Sequence, residues 1–218
     1  TAVPALAQET FDVTSSSCEG KGSITEAMKS ANNNRGIDTI NITVDEIDFR
    51  NCPPYDAPAL GDDYYTLEAT ESVIFEGNGA KVTGSNFWIN DQGGSVELQQ
   101  CHDEYPSGLL SQSPGFVRVG VQKKDNPDIT VTVRDLEFDN LSGLALVERQ
   151  ASLILEGVKV IELVSSTRGC DQNIVTARAG ANVTATDTRW FEHRVHSEAI
   201  QGTAFNGVFA GGDDAGGA

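Results

Sequence analysis

The sequence predicts an all-β protein built as a parallel β-helix, a solenoid of stacked strands, with one capping α-helix at its N-terminal end. Three observations predict it. A strand–turn–strand pattern repeats along the second half of the chain. A single short segment carries helical periodicity. The composition, with 22 Gly and 1 Met in 218 residues, suits turns and strands better than helices.

The helix is predicted over Ser23 to Asn33. Ser23 followed by Glu26 is a capping-box pattern. Ile24, Ala27, Met28 and Ala31 fall at i, i+3, i+4 and i+7 and make one apolar stripe. Asn32, Asn33, Asn34 and Gly36 stop it. Such a helix is a lid over something larger.

Short β-rich runs follow: Thr39 to Ile42, Ser72 to Phe75, Gly115 to Val121, Ile129 to Val133 and Ser152 to Leu155. Three of the later copies align. They start at Ile129, Ala151 and Ala181, 22 and 30 residues apart. In each, positions 3 and 5 are apolar or small, a turn pair follows, and a second strand begins. An earlier copy at Ser72 has a longer turn, Gly77-Asn78-Gly79. A further strand set trails each core: Gly143 to Val147, Asn173 to Ala177 and Glu198 to Gln201. A repeat of that length made of strands and short turns means a solenoid whose apolar residues point inward. A β-sandwich is the competing fold, but its hairpins need not repeat one pattern.

This divides the chain into an N-terminal extension (1–9), a cap and first rung (10–49), a β-helix body (50–210) and a Gly/Asp-rich tail (211–218). Long loops near 50–64 and 91–114 interrupt the body, and function usually sits on such loops.

Lys+Arg number 15 against Asp+Glu 32, a net charge of -17. That field repels nucleic acid and anionic membranes. No apolar run reaches the ~18 residues of a membrane span. The four cysteines, Cys18, Cys52, Cys101 and Cys170, form no C-x-x-C pair, and their spacing suits two disulfides in an oxidising compartment. Cys18 and Cys52 lie near the cap and the other two in body loops, so the expected pairs are Cys18–Cys52 and Cys101–Cys170, one of three pairings. The first residues, Thr1 to Gln8, read like the end of a secretory signal, with Ala5-x-Ala7 as a cleavage-like pattern. An extracellular location is expected.

At the cap, Thr10-Phe-Asp-Val-Thr14, Gly22-Ser-Ile-Thr-Glu-Ala-Met28, Ala31-Asn32-Asn33 and Gly36-Ile-Asp-Thr-Ile40 stand in order. This resembles the N-terminal cap of bacterial surface β-helix proteins, the CSLREA-type and polymorphic outer-membrane-protein-like families. The match covers about the first 40 residues and departs at Ile24 and Thr25. The resemblance implies a right-handed parallel β-helix on a bacterial cell surface, with an adhesive or structural role and no catalytic set.

Several clusters could carry chemistry. Arg189 to Glu198 holds His193, His196 and two glutamates, yet histidines three apart on one strand point to opposite faces. Polysaccharide lyase chemistry would need a base among Arg178, Arg189 and Arg194, beside calcium held by Asp135, Glu137 and Asp139, which alternate along one outward strand face. Solvated outer faces are the favoured account of all of these, and fold alone supplies no activity. Cys101-His102-Asp103-Glu104 lacks partners at triad spacing. Asp62-Asp63 and Asp213-Asp214 read as solvated acids. Gly77-Asn78-Gly79 is a turn and not a phosphate loop. No cofactor is implied, and the metal question stays open, with calcium as the one candidate.

The expected function is therefore a non-enzymatic extracellular structural or adhesive protein that self-assembles head to tail into a surface filament or matrix. The alternatives are a lyase-like carbohydrate-active enzyme and a calcium-dependent carbohydrate-binding module. No polar cap is legible after Ala204, and an uncapped solenoid end exposes apolar core and strand edges. The residues expected to self-associate are Ala2, Val3 and Leu6 with Phe205, Val208 and Phe209. Their partner would be a second copy or further rungs of a longer chain, with carbohydrate as another candidate partner.

Overall fold

The computed structural model describes residues 8–49, 66–84, 87–89, 95–97, 116–120, 128–141, 144–148, 150–163, 175–177, 180–190, 200–201 and 205–211. These form a mostly β structure of parallel sheets with one helix. The sheets do not close into a barrel.

Helix α1 spans Ile24–Asn33, and the Ser23 side chain accepts the Glu26 N–H at its N-terminus. The Glu26 carboxylate accepts from Gly22 N–H, one residue earlier than a standard capping box requires. The stripe Ile24, Ala27, Met28 and Ala31 is buried, as expected. It packs on β1 (Thr10–Val13), β2 (Asp38–Ile42) and β4 (Leu67–Ala69).

Beyond β3 (Glu46–Asp48), strands come in triplets, each sending one strand to each of three ladders. The triplets are β5 (Val73–Glu76), β6 (Lys81–Thr83) and β9 (Val117–Val119); then β10 (Thr130–Arg134), β11 (Glu137–Leu141) and β12 (Ala145–Val147); then β13 (Ser152–Glu156), β14 (Lys159–Leu163) and β15 (Val175–Ala177). The first ladder runs β1-β2-β5-β10-β13 and the second β3-β6-β11-β14. The long strand β16 (Asn182–Trp190) joins them, pairing β13 with its first half and β14 with its second. The third ladder runs β4-β9-β12-β15-β17, where β17 is Ile200–Gln201. Every one of these pairings is parallel. The last strand, β18 (Phe205–Gly211), pairs parallel with β16.

The register matches the sequence repeat. Thr130 pairs with Ser152 and Ser152 with Asn182. On the third ladder Ala145 pairs with Val175 and Val175 with Ile200. Equal positions in each copy therefore stack as columns. Inward columns make the core: Ile40, Phe75, Val133, Leu155 and Ala185 on the first ladder, and Ile47, Val82, Phe138 and Val160 on the second, all buried. Phe116 lies between the two, 5.3 Å from Phe75 and 5.0 Å from Phe138 by ring centroids, edge to face. Burying each such ring stabilises by about 1.5–3 kcal/mol.

The corner between the first two ladders is a left-handed residue. Asp135 (φ 46), Gly157 (φ 66) and Asp187 (φ 50) take it in successive copies, and Asn78 (φ 54) with Gly79 (φ 80) in the longer turn. Asp and Asn tolerate this conformation better than other L-residues. Asp135 is thus a corner, which corrects the expectation that Asp135, Glu137 and Asp139 alternate along one strand face. Most of the long loop expected near 91–114 lies outside the described residues. Part of it is ordered as β8 (Ser95–Glu97), which pairs antiparallel with β7 (Phe87–Ile89). Phe87, Trp88, Ile89 and Val96 are residue types that favour such extended pairing. The loop near 50–64 lies outside the described residues.

Candidate functional site

The outward residues of the sheets stack in the same register as the core, so the surface is made of columns of like position. One column on the second ladder is Glu46, Lys81, Glu137, Lys159 and Arg189. Every position in it is charged. The Lys81 ammonium pairs with the Asp139 carboxylate, and Thr83 Oγ1 donates to Glu46 at 2.7 Å. That hydrogen bond from Lys81 to Asp139 raises its pKa above the ordinary 10.5, more than partial burial lowers it, and Glu137 and Glu46 add attraction. At the last position of the first-ladder strands, Glu76, Arg134 and Glu156 stack. Arg134 reaches Glu76 at 2.7 Å and Glu156 at 2.5 Å, and these two hydrogen bonds raise its pKa.

The proposed cation-binding acids therefore face cations that the chain supplies. Glu137 stands between Lys81 and Lys159, and Asp139 is paired with Lys81. Among the described residues, no three His, Cys, Asp or Glu side chains gather to hold a metal ion.

The third ladder carries a charge cluster that sequence reasoning missed. Arg118 is 6% exposed and Glu148 is 7% exposed. Arg118 donates to Glu148 through Nε at 3.0 Å and Nη2 at 2.8 Å, and its Nη1 lies 3.7 Å from Glu68. Register explains the meeting, because Glu68 and Arg118 stack directly on adjacent strands. Such a buried pair fixes geometry more than it adds stability. The available signal was an Arg flanked by two valines in a strand, in line with a Glu of the preceding strand.

A second buried acid organises the cap. Asp38 is fully buried, and its Oδ1 accepts from Glu9 N–H at 2.9 Å and Asn34 Nδ2 at 3.0 Å. It ties chain entry, helix end and first strand together. Its Oδ2 has no hydrogen-bond partner. Asn32 acts as a substitute strand: its side chain donates to Glu68 C=O at 2.7 Å and accepts Thr70 N–H at 2.9 Å. The helix thereby covers the edge of β4. A shallow cleft of about 300 Å³ between Ile42–Asp45 and Asn78–Ala80 is lined mainly by turn backbone and holds one carboxylate, Asp45.

The structure places the sequence candidates unevenly. Cys18 is buried and disulfide-bonded. Cys52, Cys101 and Cys170, and with them the expected pairings, lie outside the described residues. So do Ala2, Val3 and Leu6, both histidines of the Arg189–Glu198 cluster, Arg178, Arg194, the Cys101–Glu104 run, Asp62-Asp63 and Asp213-Asp214. Phe205, Val208 and Phe209 lie on β18, whose backbone pairs with β16. Arg189 lies exposed on β16, in line with Lys159. No helix among the described residues is long and apolar enough to cross a membrane. Comparison with protein-family models, with curated proteins and with solved structures finds no match.

Proposed function

We propose that the chain is a right-handed parallel β-helix and a non-enzymatic extracellular structural or adhesive protein, self-assembling head to tail. The observation that carries this reading is the asymmetry of its ends. At one end α1 packs against the terminal strands β1 and β4, and Asn32 bonds the edge of β4. At the other, among the described residues, β18 has a strand partner on one side only, β16. An open edge of seven residues is a template for another strand. The cap's resemblance to bacterial surface β-helix proteins supports the location and the hand.

The free groups follow from register. Asn182 N–H donates to Ala151 C=O, the residue preceding β13, so Val183 and Ala185 point theirs toward β18. N–H groups alternate along a strand, and Val183 pairs with Phe205. Phe205 and Gly207 therefore turn their N–H groups away from β16. The partner strand is the apolar segment around Ala2, Val3 and Leu6 of a second copy, burying it against Phe205, Val208 and Phe209. The charge of -17 opposes this contact, so calcium or salt assists it by screening.

Light scattering in calcium, at matched concentration, tests the reading. The parent forms oligomers. A chain lacking residues 1–8, and a Gly207→Pro variant that removes one outward N–H, stay monomeric. A parent that is itself a monomer overturns it.

A further inference from the structure

Two of the three outward columns of the first ladder differ from the rest of the surface; the third holds Glu76, Arg134 and Glu156. One column is Thr10, Thr39, Ile74, Thr132, Ile154 and Thr184, in unbroken register over six strands. Beside it stand Thr130, Ser152 and Asn182, with Ser72 and Ile37 at the entries of their strands. Ser72 Oγ accepts the Thr130 N–H at 3.0 Å and ties these neighbouring strands together. None of the eleven positions is charged. With 22% of the chain charged, about two charges would be expected on a strip this size. The contrast lies beside it and on the second ladder, where the columns Glu76, Arg134, Glu156 and Glu46, Lys81, Glu137, Lys159, Arg189 are charged throughout. Thr10 and Ile37 are exposed, Thr39, Ile74, Ile154 and Thr184 are half-buried, and Thr132 at the centre is 7% exposed.

We propose that this strip is a docking surface for a neutral, extended polysaccharide. Three arguments select that occupant. Charge comes first: a chain of -17 repels anionic polymers, and the strip's own side chains include no ion that a neutral polymer would have to desolvate. Size comes second. Six strands about 4.8 Å apart, two residue positions wide, cover on the order of 350 Å². A stable protein partner needs about 800 Å² per side, so a second copy of this chain would bury too little. A repeating polymer can instead bind weakly at each unit and gain from many units at once. Chemistry comes third. Thr and Ser hydroxyls both donate and accept, as sugar hydroxyls do, while the Ile and Thr methyl groups meet the C–H faces of the rings. The proposal rests on the adhesive side of the function above and does not depend on filament formation.

Depletion from solution by washed microcrystalline cellulose, chitin and insoluble starch tests it, in a salt concentration that screens surface charge. The parent is retained by at least one of the three. The double variant Ile154→Lys/Thr184→Lys binds that polymer about tenfold more weakly, because each ammonium must be desolvated against a neutral surface. Lys159→Thr, on the second ladder, leaves retention unchanged. Circular dichroism confirms that each variant is folded, and light scattering on the unbound fraction reports assembly separately. Retention by none of the three polymers, equal retention of the double variant, or loss in Lys159→Thr overturns the proposal. Failure of filament formation with retention intact refutes only the self-association reading.

Discussion

Replacing Met28 tests whether α1 closes the end of the core. Met28 is 3% exposed on the face that packs against β1, β2 and β4. Truncation to Ala removes three heavy atoms from that contact and leaves a gap that the neighbours fill only in part. Such changes cost about 2–5 kcal/mol. Met28→Asp loses the same burial and adds a carboxylate in an apolar site, which costs several kcal/mol more unless water enters. Met28→Leu keeps the volume and should cost under about 1.5 kcal/mol. In a chain of this size about 1 kcal/mol shifts Tm by roughly 2–4 °C. The expected order of Tm is therefore parent, Leu, Ala, Asp, with Ala lower by about 6–12 °C for a cost near 3 kcal/mol. Thermal unfolding followed by circular dichroism reads it. If Met28→Asp melts within about 2 °C of the parent, the helix faces water and the lid argument is wrong.

Two further outcomes follow from the charges. Arg118→Met leaves the Glu148 carboxylate buried with less compensation and should destabilise by about 2–4 kcal/mol, whereas Arg118→Met/Glu148→Leu should recover at least half of that; urea denaturation of the two variants compares them, and a double variant no better than the single one refutes the pairing as the cause. Lys81 has a pKa raised above 10.5 by Asp139, so its contribution is complete below about 10.5 and is lost as pH climbs through the higher folded value. With a side chain 36% exposed the amplitude stays under about 1 kcal/mol. Lys81→Met should flatten the fall in Tm above pH about 10.5, and an unchanged alkaline slope refutes it.

The sequence made the ladders legible because stacking enforces repetition. Positions 3 and 5 of each copy face inward, so an apolar residue there recurs wherever a strand recurs. Val131, Leu153 and Val183 show it, as do Val133, Leu155 and Ala185. The helix was legible for a similar reason, since one periodic stripe and one N-cap suffice to define it. The partners of the charges were not legible. Arg134 meets Glu156, 22 residues on, and Glu76, 58 residues back. Insertions of different length separate the triplets, so no fixed spacing in sequence announces which outward side chains become neighbours. Asp135 was misplaced on a strand because its left-handed φ is a property of the corner, and Asp suits either setting.

The corner also constrains what the edge of β18, without a second strand partner among the described residues, can accept. Asp135, Gly157 and Asp187 each turn the chain between the first two ladders with a left-handed residue. In β18 the register shifts there: Ala185 pairs with Gly207 and Thr188 with Phe209, so one residue of β18, Val208, faces two of β16, Thr186 and Asp187. A β-branched residue takes the left-handed conformation only at a cost of about 1–2 kcal/mol, and the shorter corner avoids it. A strand added to β18 as a straight continuation of β16 would have to copy that shortened corner. A short segment need not. Ala2 to Leu6 spans five residues, with Pro4 among them. On one side of the corner the proposed contact would reach the outward N–H groups of Phe205 and Gly207 without turning. Pro4 donates no N–H, so an arrangement that points its N away from β18 costs nothing in the new ladder. The proposed contact thus needs register over a few residues on the first ladder and leaves the second free. That makes it weaker than a full rung and more dependent on salt.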